Sequence, residues 1–345
     1  MKSEEIFQKE NNIAFNCLQY LRRSDYAMIW EGNYYDPDKD VHDYAQLTDG
    51  TIAALVCKIA NIFEQLLTKN STIALYLPPS IQLPLCLLAA AKIGHAPLIV
   101  DPLTTNDFVP ALKEMNVSAI ITLDAFWHGD KLIESKKILD EAIGKLNAIK
   151  SVIVINHTAS SKAIPKRSEE IIGRRPNSSI EIPFSDDRDQ KWSSLIQKSS
   201  IANDTWKNND TIAYLFNREK IEVLRRDCVE SASRSMSKAS ADLSTPLLLI
   251  ASPSSPFFCI SLFAVFPLGI PIVLFEGSLT FPTGERLLQI IDKYKISHLI
   301  VSSPLPPLLA PIPHSVISVR SPKDVRFSIR HLFPNAKFEP FDMPK

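Results

Sequence analysis

The chain has 345 residues, enough for two sizeable cores, and its 45% hydrophobic and 22% charged residues are those of an ordinary globular protein. Thirty-eight basic side chains meet 38 acidic ones, so the formal net charge is zero. That balance argues against nucleic acid as a partner, because phosphate binding needs a basic surface.

In chain order, Met1 to Asn12 is polar and acidic without a signal-peptide core, so a cytoplasmic protein is expected. Ile13 to Leu21 has a short helical pattern. Ala27 to Gly32 reads as a strand ending in a turn, Asn33 to Asp43 as a charged loop, and Tyr44 to Leu47 as a brief extended piece. Thr48 or Asp49 can cap a long amphipathic helix to about Leu67, with apolar residues at Ile52, Leu55, Val56, Ile59, Ile62, Phe63 and Leu66.

Thr72 to Leu77 is a short apolar run bounded by Pro78-Pro79, as a buried strand would be. Ile81 to Lys92 is an almost wholly apolar helix, with Gly94 suited to its left-handed stop. Ala96 to Val100 is a second strand. Strand, helix and strand in about thirty residues make a βαβ unit, hence a parallel sheet covered by helices.

Thr105 to Met115 follows as a helix capped by Thr104 or Thr105 and kinked at Pro110. Ala119 to Leu123 is a strand, Lys131 to Leu146 an amphipathic helix, and Ser151 to Asn156 another strand. His157 to Asn209 reads as a long polar surface connection with one apolar knot, Trp192 to Ile196. Thr211 to Phe216 is a strand followed by the charged run Asn217 to Asp227, and Cys228 to Asp242 is a helix. Leu247 to Ala251, Phe257 to Phe266 and Ile270 to Phe275 form a second parallel unit. Pro282 to Tyr294 is a capped helix, His298 to Ser302 and Ser315 to Val319 are strands, and Val325 to Phe333 is a weak helix. Pro246 to Glu276 is apolar, but its prolines interrupt it, so no membrane span is expected.

Glycine is informative by its scarcity. Nine are present and no two lie within six residues, so neither a Rossmann nor a Walker loop can be written. Five cysteines (Cys17, Cys57, Cys86, Cys228, Cys259) have no metal or redox spacing and are expected to be buried reduced thiols. Asn-x-Ser/Thr triplets at Asn70, Asn116, Asn156, Asn177, Asn203 and Asn209 lack a secretory signal to give them meaning. The organisation expected is one α/β subdomain from residues 1–70 with 246–345, and a second from 71–245 that includes the connection 157–209.

Several segments together resemble one family. Asn16-Cys17-Leu18, Ile29-Trp30-Glu31-Gly32, Ala74 to Pro78, Ala90 to Gly94 and His128 to Lys131 occur in its order. Phe275-Glu276-Gly277, Phe281-Pro282-Thr283 and Ile291 to Tyr294 follow at matching spacing. The pattern resembles the N-terminal part of acetyl-CoA synthetases, AMP-forming members of the adenylate-forming enzymes, over about residues 11–342. The resemblance implies an α/β fold of two packed, mostly parallel sheets with helices on their faces, and a separate lid domain that is expected to be missing here.

The family's working motifs do not carry over. Its phosphate loop is a run of Thr, Ser and Gly ending in Pro-Lys-Gly. The matching segment, Asn217 to Arg225, has no glycine and adds Glu219 and Glu222, which would repel phosphate. Arg218, Lys220 or Arg225 could still hold an anion, or the run could be a solvated charged face. The adenine-binding Gly-Glu-Pro is replaced by Arg320-Ser321-Pro322. Two CoA-contacting arginines fall on Ala111 and His128, the latter a candidate ligand or an ordinary polar residue beside Trp127.

Asp342 matches the start of the motif that shapes the acetate pocket and holds Mg²⁺. With Lys345 as the final residue, the rest of that motif, the ribose-gripping Asp and the lid lysine are expected to be missing. Elsewhere, seven dispersed histidines form no metal pattern, and Ser252 to Ser255 lacks a nucleophile elbow. Asp186, Asp187 and Asp189 could seat a cation or form a flexible acidic loop.

The resulting expectation is an inactive, truncated acetyl-CoA synthetase-like protein with no catalytic, cofactor-binding or metal residues and no cofactor. Its partner would be an active relative or a second copy, with no nucleic acid and no membrane. Alternatives are an active short-chain acyl-CoA ligase completed by a partner chain, or a relic product without a selected role.

Overall fold

Strands covered on both faces have no solvent side, so they appear in sequence as unbroken apolar runs. In the computed structural model those runs become the inner strands of two large sheets. The structure describes residues 12–19, 26–36, 38, 41–103, 107–144, 146, 148–158, 182–217, 219–239, 245–302, 305, 316, 318–322, 325, 332 and 336–340.

The first elements are α1 (Ile13–Gln19), β1 (Met28–Asp36), β2 (Val41–Leu47), α2 (Asp49–Leu66), β3 (Thr72–Tyr76), α3 (Gln82–Lys92), β4 (Leu98–Val100) and α4 (Val109–Glu114). Then come β5 (Val117–Leu123), β6 (Phe126–His128), β7 (Lys131–Ile133), α5 (Ser135–Ile143), β8 (Ser151–Ile155), β9 (Asp189–Lys191), α6 (Trp192–Lys198), β10 (Thr211–Asn217) and β11 (Lys220–Arg225). The last are α7 (Arg226–Ala239), β12 (Leu247–Ile250), α8 (Pro256–Val265), β13 (Ile272–Phe275), α9 (Arg286–Tyr294), β14 (His298–Val301), β15 (Ser318–Ser321) and β16 (Lys337–Pro340).

The first sheet has the order β16-β15-β14-β12-β13-β1-β2 and the second β11-β10-β4-β3-β5-β8-β9. Each is parallel except at one edge, where β2 runs against β1 and β11 against β10. Helices α1, α2, α3 and α8 share one continuous core with the facing sides of both sheets. Layers above and below explain why α3 and α8 are apolar almost all round. Helix α9 covers the outer face of the first sheet, and α4 and α5 that of the second. Thr48 caps α2 by accepting from the Thr51 N–H at 3.3 Å, as its sequence position suggested. Among the described residues, no helix is long and apolar enough to cross a membrane.

The departures from expectation fall mostly at sheet edges. The charged loop at 33–43 is instead the continuation of β1 and the start of β2, paired Tyr35↔His42 and Asp36↔Val41 beyond a bulge. The charged run 217–227 contains β11, whose exposed charges flank Ile221 and Leu224. Lys131 to Ile133 is a strand, not a helix start, because Gly129 at φ +66° turns β6 into β7. The connection 157–209 contributes β9 to the second sheet. Edge strands face water on one side and carry charge that discourages edge pairing, so they look like loops in sequence. Pro110 lies in the first turn of α4, where its missing N–H costs nothing, so no kink follows. Thr104, Thr105 and most of 325–333 lie outside the described residues, and β16 was not anticipated.

The sheets and their covering helices are joined by buried polar contacts. Glu31, fully buried on β1, is the centre of one. Arg286 donates to its Oε1 at 2.5 Å and to the Gly32 carbonyl at 3.1 Å, and Lys293 donates to Oε2 at 3.2 Å. The Tyr294 hydroxyl donates to Oε2, and His42 Nδ1 lies 2.8 Å from Oε1. The Arg286 guanidinium also lies 4.7 Å over the Tyr35 ring and 5.5 Å over Phe275. Burial pushes the Glu31 carboxyl up, but Arg286, Tyr294 and Lys293 together hold it below its ordinary value.

Two further contacts bridge the two sheets near the carboxyl ends of their strands, and a third ties β1 to the separate β6–β7 hairpin. Ser252 donates to Asp101 at 2.5 Å. Asn33 exchanges two 2.8 Å hydrogen bonds with the Gly129 backbone. His157 Nε2 lies 2.7 Å from Glu276 Oε1, whose other oxygen accepts from Trp30 Nε1 at 3.1 Å. Gly277 is required beside them, since a Cβ there would meet Asn33 Cα at 2.8 Å.

Two outcomes follow. Glu31→Gln leaves Arg286 buried without a full counter-charge and should cost about 3–5 kcal/mol in urea unfolding. Lys137→Ala, which breaks an exposed pair, should cost less than about 1 kcal/mol. Equal small effects would show that the Glu31 cluster contributes nothing net.

The second outcome concerns His157. Burial opposes its charged form, but Glu276, the hydrogen bond to it, Asp124 and Asp43 together raise it above its ordinary 6.5. A folded-state value above the unfolded one means its contribution is complete below pH 6.5 and lost as pH rises through the raised value. Stability of the parent relative to His157→Gln should therefore shrink as pH is raised from 6 to about 9. A pH-independent difference would contradict the pairing. His95, pulled down from 6.5 to about 4 by burial, titrates alike in both proteins, so it cancels in the difference.

Candidate functional site

Parallel α/β sheets bind ligands in the crevice beyond the carboxyl ends of their strands, where chain reversals leave a gap. Here the ends of β3, β4, β12, β13 and β14 surround a cleft of about 490 Å³. Asp101, 1% exposed after β4, forms part of its wall. It accepts from the Ser252 hydroxyl and, at 2.9 Å, from the Leu103 N–H. Ser252 in turn lies 3.2 Å from Ser254, and Ser255 caps α8 by accepting from the Phe257 N–H at 3.3 Å. The serine run of 252–255 is thus a structural turn between β12 and α8.

His128, at the end of β6, lies on the same cleft. Burial and Lys131 hold its imidazole below the ordinary value against the pull of Asp101 and Glu276, so it is neutral near pH 7. No lysine or arginine is among the described residues lining this cleft. Its chemistry is that of an apolar slot with one carboxylate and one neutral imidazole. Such a slot suits an uncharged or weakly polar group better than a polyanion.

The segment in the position of a phosphate loop has a definite geometry. Asn217 pairs with Lys220 across the β10–β11 hairpin, which leaves only positions 218 and 219 to make the turn. Glu219 sits there at φ +69° and is exposed. Lys220 and Glu222 are exposed on β11, and Arg225 is 3.7 Å from Asp227 in a solvent-exposed pair. Lys220 and Arg225 are at opposite ends of the strand and so are not gathered into one site, and Arg218 lies outside the described residues.

The other residues singled out in sequence are dispersed. Arg320 is buried in β15, between β14 and β16, on the side opposite Val319. Ala111 lies on α4 and is packed into the outer core of the second sheet. Asp342 lies outside the described residues. The Asp186–Asp187–Asp189 trio is not a cation site, and Asp189 is no part of a flexible loop. Asp189 is buried in β9, 2.8 Å from both Lys136 and Arg188, while Asp186 and Asp187 are exposed. Burial opposes the Asp189 carboxylate, but hydrogen bonds from Arg188, Lys136 and Ser185 hold it below its usual range. Among the described residues, no group of three or more His, Cys, Asp or Glu is placed to hold a metal. Cys17, Cys86 and Cys259 are core residues whose thiols burial pushes well above their usual value.

Sequence reasoning missed the inter-sheet bridges and the tightness of the β10–β11 turn. The absence of glycine at 217–225 was the one available sign of the latter.

Comparison with known proteins agrees with this architecture. Acetyl-coenzyme A synthetase of Drosophila melanogaster is 24% identical over 310 residues, covering 83% of this chain and 44% of that protein. Acetyl-coenzyme A synthetase 2 of Debaryomyces hansenii is 25% identical over 309 residues, covering 84% and 41%. The chain therefore spans less than half the length of these relatives. Acetoacetyl-CoA synthetase from Streptomyces lividans superposes with a TM-score of 0.68 at 15% identity, over 95% of this chain and 51% of that one. Two mostly parallel sheets flanked by helices are thus the N-terminal architecture of an adenylate-forming enzyme. Residues 27–216, more than half the chain, match the family described as AMP-binding enzyme, and to that family this chain belongs.

Proposed function

We propose that the chain is a catalytically inactive, acetyl-CoA synthetase-like protein of the cytosol that works by binding a partner. The observation that carries this reading is the β10–β11 turn. A triphosphate needs several backbone N–H groups converging on its oxygens, together with a nearby cation. Two residues between paired strands cannot form such a cradle, and Glu219 and Glu222 place negative charge beside it. The family match also ends at Phe216, directly before this turn. The absence of lysine and arginine from the described lining of the cleft points the same way.

A scaffold of this kind would act through an active relative or a second copy of itself. The rival reading is an active short-chain acyl-CoA ligase completed by a partner chain. The cleft of about 490 Å³ favours it, being roomy enough for a small acyl group.

Calorimetry of the full chain with Mg·ATP, AMP and CoA, followed by pyrophosphate exchange with acetate, separates the two. The expected result is no ATP or AMP binding up to about 1 mM and no exchange. Micromolar ATP binding with acetate-dependent exchange would replace the inactive reading with the ligase.

A further inference from the structure

A second cavity, of about 510 Å³, is lined in part by Asn33 and Gly129 and shares no lining residue with the cleft above. Its walls come from the β1–β2 hairpin, the β6–β7 hairpin and the segments after β8 and β13. We propose that it is a binding site for a small organic cation, an amine or quaternary ammonium.

The first ground is aromatic surface. Trp30, Tyr34, Trp127 and Phe281 line the cavity. The faces of Tyr35, which also lines it, are engaged by Arg286 at 4.7 Å and by His42 at a centroid distance of 4.5 Å, so Tyr35 belongs to the wall behind. Aromatic faces carry partial negative charge, and a desolvated cation against them gains more than a neutral group of the same shape.

The second ground is charge. Asp36, Asp38, Asp43, Asp130 and Glu276 all line the cavity, and no lysine or arginine does among the described residues. His157 is the one described lining group that can carry positive charge, and it is held by Glu276 at 2.7 Å. The buried Arg286 against Tyr35 is matched by Glu31. Among the described lining residues carboxylates outnumber cations, so a cation is favoured over a phosphate or carboxylate.

The third ground is preorganisation. Glu276 fixes the Trp30 indole through its N–H at 3.1 Å, and His157 meets the Trp30 ring edge-on at 5.5 Å. Asn33 holds the Gly129 turn that carries Trp127 and Asp130 on either side, and also accepts from the Ser278 N–H at 3.1 Å. The walls are set before a ligand arrives, which reduces the ordering cost of binding. The volume lies in the ordinary range for small-molecule sites.

The test is calorimetry of the full chain with choline and with its neutral isostere 3,3-dimethylbutan-1-ol. Choline is expected to bind at least about tenfold more tightly than the isostere. Trp127→Ala should weaken choline by at least about tenfold, and Asp130→Asn, an exposed position that does not threaten folding, should weaken it less but measurably. Equal binding of the two probes, no choline binding at 10 mM, or unchanged affinity in a folded Asp130→Asn protein would each overturn the proposal.

Discussion

A carboxylate taken wholly out of water is costly unless its partners are close and well oriented. Glu31 meets that condition with Arg286, Lys293, Tyr294 and His42, drawn from β2 and α9. The contact with Arg286 spans 255 positions of sequence. It fixes where α9 lies on the first sheet and how the β1–β2 edge meets β13. The cavity walls around Trp30 and Tyr34 are carried by that same edge, so their geometry depends on it.

The second set of constraints joins the two sheets. Asp101–Ser252 and His157–Glu276 cross between them, and Asn33–Gly129 ties β1 to the β6–β7 hairpin. Many residues that carry the family resemblance prove to be these structural ones: Trp30, Glu31, Gly129, Glu276, Gly277, Lys293 and Tyr294. The β10–β11 end of the second sheet, where the family resemblance places phosphate recognition, has a closed hairpin instead. A frame held by distant polar contacts does not require that loop, since β10 is secured by its pairing with β4 and by burial of Ala213 and Leu215. The proposed loss of the loop is therefore physically compatible with retention of the fold.

How far the sequence revealed this depends on burial. Thr72 to Tyr76 and Leu247 to Ile250 were legible because strands covered on both sides leave a continuous apolar signature. The start of β2 at 41–43 and the strands at Lys131–Ile133, Asp189–Lys191 and Lys220–Arg225 were not, because their polar residues face water and local composition cannot tell an edge strand from a loop. Glu31 looked like any strand residue, since its partners lie in segments far along the chain. The aromatic cavity had the same character: Trp30, Trp127 and Phe281 meet only after both sheets are assembled. The phosphate-loop region was half legible. Missing glycine could be read, but the two-residue closure required the pairing of Asn217 with Lys220.

The most direct measurement is a crystal structure of the protein soaked in millimolar Mg·ATP. The expected result is an unchanged hairpin, with Asn217 paired to Lys220 and no triphosphate against it. Ordered phosphates seated on residues 217–220, with the nucleotide base beside Tyr214 or Arg320, would contradict the view that the frame persists without its phosphate site.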